Sequence, residues 1–245
     1  MFTLQNIMLI FVSALVGGAV QALTGFGTGV IMMIGLTMIL PLANAGALSG
    51  CIQIPLQIAI MITYWKHIRW SMLLKPLPCY LGVSALGIIL VTGRDVSGFK
   101  LLFGILLIAL ACYFIVFNGK ISVSGGWKSA CICGGSAGLL SGMFGIGGPP
   151  MAIYTLAVTN ADKAAYLGTI QTFFFIATSY NTILRFIRGA FLPETLPLAA
   201  VGIAAVLIGK KIGTAIVNRI DTYTMSRIVY IFVGISGLIY VIQNI

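Results

Sequence analysis

Apolar positions run along this chain in ten blocks: near 4–23, 27–42, 46–65, 71–92 and 97–117, then 129–146, 148–160, 164–187, 193–213 and 222–243. A polar, Gly/Ser-rich stretch, "NGKISVSGGWK" at 118–128, separates the first five from the second five. Most blocks are continuous apolar runs long enough for a membrane-crossing helix, which takes about 20 residues. The pattern predicts an all-α polytopic membrane protein in two halves, 1–117 and 129–245, with a linker at 118–128. The blocks at 27–42 and 148–160 are short for a full span, and each directly follows a glycine cluster. Each is therefore expected to be a short arm of a broken-helix hairpin. Eight to ten membrane segments follow, depending on whether these two arms count as crossings.

The two halves repeat each other. "ALVGGAVQALTGFGTGV" ends at Val30 and "GSAGLLSGMFGIGGPP" ends at Pro150, so that Gly25-Phe26-Gly27 aligns with Gly145-Ile146-Gly147. Further on, "GCIQ" at 50–53 aligns with "GTIQ" at 168–171. The offsets of 120 and 118 differ by one short deletion, which points to duplication. Repeats with an odd number of segments must be inverted relative to each other. Inverted repeats with paired Gly/Pro-broken segments are a transporter signature, with the site at the repeat interface near the midplane.

Composition agrees with the pattern. The 245 residues are 60% hydrophobic and 7% charged, against roughly 25% charged in a soluble domain. The first charged side chain is Lys66, and two further uncharged runs cover 129–161 and 228–245. No cleavable signal peptide is expected, because the N-terminus lacks a basic region and the apolar pattern simply continues. The net charge of +10 does not imply nucleic acid, because the basic residues fall singly or in pairs between apolar runs, as lipid-flanking anchors do. If every block crosses and the N-terminus lies outside, the inside loops hold nine Lys and Arg and the outside loops four (Arg94, Lys100, Arg185 and Arg188). The positive-inside rule then places both termini outside a plasma membrane. The five cysteines (Cys51, Cys79, Cys112, Cys131, Cys133) lie in apolar segments and read as small hydrophobes. With one histidine, His67, and no CxxC, neither a metal site nor a cofactor is expected.

Broken backbone is tolerated at membrane depth only where it is buried in protein or lines a cavity. A helix that restarts there exposes free N–H groups and the positive end of its dipole, which suits an anion. Glycine admits a ligand close to the backbone, and a proline just inside the new helix costs little. "GIGGPP" therefore reads as a helix start aimed at a negative group, through Gly145, Gly147, Gly148 and Pro149. "GFGTG" reads as its partner, through Gly25, Gly27, Thr28 and Gly29, with the Thr28 hydroxyl as a further donor. The competing reading of such glycines is tight helix packing through small residues.

Two polar stripes complete the candidate site. Ser49, Gln53 and Gln57 are spaced i, i+4, i+8, and Gln171, Thr178, Thr182 and Arg185 follow one face of their segment, with Asn181 beside them. Polar side chains on an intramembrane helix usually face the bundle interior. The repeat pairs Gln53 with Gln171, which predicts them on opposite sides of one cavity. Arg185 ends its stripe and is the candidate for drawing an anion into a vestibule, whereas Lys75 reads as a snorkelling anchor. Asp95, Asp162, Glu194 and Asp221 all fall at segment ends or loops, which disfavours a proton relay on a buried carboxylate.

These motifs resemble those of the TauE/SafE group of sulfite exporters, and the resemblance covers essentially the whole chain. Gly145-Ile146-Gly147-Gly148-Pro149-Pro150 is similar to the form of the family motif with two prolines in place of a third glycine. "TGFGTGVIMMIGLTMILP" is similar to the family's Gly-rich opening and departs from it by Thr28. The resemblance implies a carrier of small sulfur oxyanions or sulfonates such as sulfite, and leaves open another small organic anion such as a carboxylate. An anion channel would instead call for a continuous polar ring. An enzyme would call for a nucleophile, base or metal at membrane depth, and no such constellation is present. The expected partners are a small anion and membrane lipid, without nucleic acid; a homodimer is compatible with the chain.

Overall fold

Lipid offers no hydrogen-bond partner to a backbone, and every regular element among the described residues is accordingly helical. The computed structural model describes residues 3–92, 125–160 and 162–217, with isolated helical positions at 105, 108–109, 112, 238 and 241–242. The blocks expected at 97–117 and 222–243, and most of the linker, lie outside the described residues. The remaining eight blocks appear close to their expected places. The helices are α1 (Leu4–Thr24), α2 (Thr28–Leu36), α3 (Leu42–Thr63), α4 (Trp70–Leu74), α5 (Leu77–Val91), α6 (Trp127–Phe144), α7 (Gly148–Val158), α8 (Lys163–Ile187) and α9 (Leu196–Val217). Four stretches are long and apolar enough to cross a bilayer: Leu4–Thr24, Leu42–Thr63, Trp70–Val91 and Pro193–Ala215. At 25 residues α8 is longer than any of them, but its polar stripe dilutes its hydropathy.

Helix ends follow local chemistry. Thr3 caps α1 through its hydroxyl, and Asp162 caps α8 by accepting from the Ala164 and Ala165 amides at 2.9 and 3.2 Å. The Ala165 N–H above all holds the Asp162 carboxyl below the usual carboxylate range. Between α4 and α5 the chain breaks at Lys75-Pro76, and the Lys75 ammonium donates to the Gly125 carbonyl at 3.1 Å.

At roughly 14 Å for α2 and 17 Å for α7, neither short helix can cross a hydrocarbon core of about 30 Å. Each doubles back along the helix before it. A Cβ on Gly17 would sit 3.2 Å from Thr28, and one on Gly35 would collide with Ser13, so α2 runs antiparallel to α1. In the same way Gly147 faces Ala137 and Ser141, while Gly125 faces Val158 at the far end of α7. The tips of the two hairpins are Gly25–Gly27 and Gly145–Gly147.

The helices pack as α1 on α9, α5 on α6 and α3 on α8. Small residues seam the first two pairs, as expected where lipid supplies no hydrophobic drive between helices. Gly134, Gly138 and Gly142 of α6 press successively on the Pro76, Tyr80 and Ser84 carbonyls of α5. Gly209 and Gly213 of α9 press on the Leu15 and Ala19 carbonyls of α1. Both pairs therefore run parallel. By contrast α3 and α8 are antiparallel: Gly46 lies by Arg185, Gln57 donates to Thr178, and Gly168 lies by Tyr64. Hairpin α1–α2 leads into α3 at the Arg185 end of this pair, and hairpin α6–α7 leads into α8 at the Tyr64 end. The two hairpins thus approach the centre from opposite ends.

Two apolar clusters result. One is built on α1, α2, α3 and α9, and the other on α5, α6, α7 and α8. Their memberships cross at the tips. Phe26 is buried in the second cluster, and Met143, Phe144 and Ile146 are buried in the first. Each hairpin plants its tip in the cluster built on the other hairpin.

Candidate functional site

Both hairpin tips are made by a left-handed glycine. Gly25 (φ 82°) stops α1 and Gly145 (φ 73°) stops α6, a conformation that only glycine adopts without cost. Their amides close the last turns by donating to Gln21 and Ser141, each at 2.9 Å. Thr24 braces the first tip through its hydroxyl, 2.7 Å from the Phe26 carbonyl. The chain then restarts as α2 and α7, and no side chain caps the first N–H groups of either helix. The tips touch: a Cβ on Gly29 would lie 2.6 Å from the Gly145 carbonyl, and one on Gly148 would lie 2.8 Å from the Phe26 ring.

A cavity opens between these tips and the α3–α8 pair. The space open to the centre of a water molecule is about 50 Å³. At about 10–15 Å³ per water centre, that accommodates roughly three to five water-sized atoms. Gly27, Gly29, Gly145, Gly147 and Gly148 line it from the tips, and Ser49, Gln53 and Gln57 line it from α3. Thr178, Asn181 and Arg185 line it from α8.

Four expected residues lie elsewhere. Gly25 sits behind the tip against the Tyr166 ring, and Pro149 is buried inside the first turn of α7. Thr28 turns its hydroxyl into α1, where it donates to the Gly17 carbonyl at 2.8 Å. The cause is the hairpin itself: with α2 doubled back, the Thr28 side chain faces the preceding helix. Gln171 is fully buried and both halves of its amide are engaged. It accepts from Gln21 at 2.9 Å and donates to the Gly25 carbonyl at 2.8 Å. Gln53 and Gln171 therefore do not face each other across the cavity.

The two glutamines should separate on mutation. Gln171→Ala leaves the buried Gln21 amide and the Gly25 carbonyl without partners, at about 1–3 kcal/mol each, so the melting point should fall by several degrees. Gln53 bonds only within its own helix, to the Ser49 hydroxyl at 2.8 Å and carbonyl at 3.2 Å. Gln53→Ala should therefore melt near the parent. Thermal melts of the two variants beside the parent measure the difference, and equal behaviour would refute the distinction.

Several lining residues carry weaker sequence signals. Gln21 and Ser141 each stand four residues before a tip glycine and are separated by the repeat offset of 120. The duplication marked them as a pair. Gly46 and Gly50 let α8 approach α3, since a Cβ on Gly46 would meet the Arg185 guanidinium at 2.6 Å. Tyr80 gives no signal, being one of two hydroxyls, with Ser84, within the apolar α5.

The charge in the site is Arg185, which is 2% exposed. It lies deep in the protein, not at a vestibule. Its guanidinium donates to the Gly142 carbonyl at 2.6 Å, and to Ser141 and Ala43 at 3.3 Å each. Among the described residues it has no carboxylate partner: Asp162 caps α8 and Glu194 lies in the turn before α9. Nearby, Asn181 donates to Tyr80 at 3.1 Å and Ser141 at 3.0 Å, and Gln57 donates to Thr178 at 3.0 Å. The Gln57 Oε1 and Asn181 Oδ1 atoms are buried without a hydrogen-bond partner. A cavity with one unneutralised cation and several amides and hydroxyls can hold a small anion. It offers no nucleophile–base pair, and among the described residues no three side chains cluster to hold a metal ion.

Comparison with known proteins gives one match: a family model described as "Sulfite exporter TauE/SafE" fits residues 9–240. No curated protein and no solved structure matches the chain.

Proposed function

Because the chain belongs to the sulfite exporter TauE/SafE family, a family of membrane transporters, we propose that it is a secondary carrier of a small sulfur oxyanion, with the cavity between the hairpin tips as its binding site. The observation that carries this reading is the buried Arg185, which donates to three carbonyls and has no carboxylate partner among the described residues. A buried charge of this kind is expensive, and an anion in the cavity would offset it. The small volume favours a sulfite-sized ion over a bulky organic anion.

The mechanism we infer is alternating access between two inverted repeats. The exchange α1/α6, α2/α7, α3/α8 and α5/α9 carries the packing pattern onto itself: a parallel pair maps to a parallel pair, and the antiparallel pair maps to itself. Hairpins approaching from opposite ends fit a pseudo-two-fold axis in the membrane plane. Because each short arm doubles back on the arm before it, the sidedness of every loop stays as if all segments crossed. With Arg185 buried in the site, nine inside cations stand against Arg94, Lys100 and Arg188 outside. This supports both termini outside, in the plasma membrane. The site lies within one chain, so the reading requires no second copy.

Proteoliposomes holding the purified chain should release sulfite in a saturable manner and show counterflow of labelled sulfite against an unlabelled load. Flux without counterflow would indicate a channel, and no sulfite flux above empty vesicles would end this reading.

A further inference from the structure

We infer that the cavity selects the singly charged, proton-bearing form of its oxyanion over the fully deprotonated dianion. The inference rests on the anion-carrier reading and adds to it the charge and protonation state of the cargo.

Charge accounts for half of the argument. Among the described residues lining the cavity, the titratable groups are Arg185 on α8 and Tyr80 on α5. The lining residues of α1, α2, α3, α6 and α7 are apolar, glycine, hydroxyl or amide. One buried cation offsets one negative charge, and a second would be buried uncompensated. The helix starts do not supply the difference. The N-terminus of α2 stands beside the C-terminus of α1, and that of α7 beside the C-terminus of α6, so the partial charges of each hairpin tip oppose one another. Part of the Arg185 field is also spent on the last-turn carbonyls of α6, Ser141 and Gly142.

Hydrogen bonding supplies the other half. Gln57 and Asn181 are 1% and 6% exposed, both line the cavity, and each has a side-chain oxygen with no donor. A buried acceptor without a partner is costly, and a second acceptor placed against it adds repulsion. A dianion brings only acceptors. A hydrogen-bearing monoanion such as hydrogen sulfite brings one donor for these oxygens and one charge for Arg185. Rotating either amide would turn its free oxygen into free N–H groups, which would favour an anion without hydrogen. A carrier of the protonated form moves an acid equivalent with its cargo and needs no carboxylate relay in the protein.

The test is a binding series on the full-length chain in detergent, read by thermal stabilisation. Sulfite is titrated at several pH values spanning its second ionisation, with nitrate and sulfate as a monoanion and a dianion. Apparent affinity for total sulfite should fall about tenfold per pH unit above that ionisation, as the bound form becomes scarce. Nitrate affinity should stay flat over the same range, which separates titration of the cargo from titration of the protein. Sulfate should not compete. Gln57→Leu removes one of the two free oxygens and should reduce the preference for hydrogen sulfite over nitrate, with Asn181 Oδ1 keeping the rest, while sulfate remains excluded. Sulfite affinity that holds or rises with pH, sulfate that competes as well as sulfite, or nitrate that outcompetes hydrogen sulfite would each overturn the inference and leave the anion carrier standing. If no anion stabilises the protein at any pH, the carrier reading falls and this inference falls with it.

Discussion

Replacing Arg185 with Met removes anion binding while the protein still folds. The expected loss follows from the environment. Truncating one partner of a buried, hydrogen-bonded charge pair costs about 2–5 kcal/mol, which is roughly a thirtyfold to several-thousandfold drop in affinity. The effect on the empty protein should be far smaller, because two terms oppose each other. Met ends the burial of an unpaired cation, which favours folding. Against that, the Gly142 carbonyl loses its donor at 2.6 Å, at about 1–3 kcal/mol. Arg185→Lys keeps the charge but loses the fork that reaches three carbonyls, so its affinity should fall between parent and Met variant. Sulfite titrations of the three proteins, with their melting points, decide the matter. If the Met variant binds sulfite like the parent and melts much lower, Arg185 is a staple between α3, α6 and α8 and the anion site lies elsewhere.

Gly147→Asp should stop transport at a modest cost in stability. Gly147 is the N-cap of α7 at φ −96°, where any residue fits, and no side chain caps that helix now. Asp is a favoured N-cap elsewhere, but here the second and third residues of the helix are Pro149 and Pro150, which have no N–H to donate, so Asp gains no capping bond. Its Cβ would meet the Ala137 carbonyl and Ser141 Cβ at 3.0 Å, tight contacts that a small shift of the tip relieves. Gly147 lines the same cavity as Arg185, so a carboxylate at this position sets a fixed negative charge beside the place of the cargo. Sulfite flux should fall to the level of empty vesicles, with a melting point a few degrees below the parent's at most. Thr28→Asp would act differently, since that side chain faces the Gly17 carbonyl and a carboxylate there repels it; the variant should lose stability first. Normal flux in Gly147→Asp would mean that the second tip is a packing element and not part of a binding site.

The helices and their breaks were legible for a physical reason. A chain in lipid must spend long apolar runs on spans, so the edges of α1, α3, α5 and α8 stand out against charge and proline. Gly and Pro can interrupt such runs only where the protein itself supplies partners, so "GFGTG" and "GIGGPP" marked the centre. What the pattern could not carry was direction. The 3.6-residue period places Thr28 near the cavity, but whether its hydroxyl faces inward depends on α2 lying back along α1. Gln171 and Gln53 are equal in the repeat, yet one amide is consumed in holding Gly25 and the other is not. Arg185 looked like a rim residue because it ends an apolar block, and only the packing of α3 and α6 over this end of α8 buries it, through the Ala43 and Gly142 carbonyls. Tyr80 stayed invisible because a hydroxyl in a lipid-compatible helix has many uses.

The crossed tips also set an order of events during synthesis. When the first hairpin leaves the ribosome, the seat for Phe26 does not yet exist, because that cluster runs from Leu73 to Ala177. The Gly25 carbonyl waits for an amide 146 residues downstream. Until then the first tip cannot rest in lipid, where an unpaired carbonyl is costly. It must stay beside the insertion machinery or a wet crevice until α8 arrives. The first half is therefore not an independently stable unit, and expression of the two halves as separate polypeptides should yield neither alone, only the pair made together.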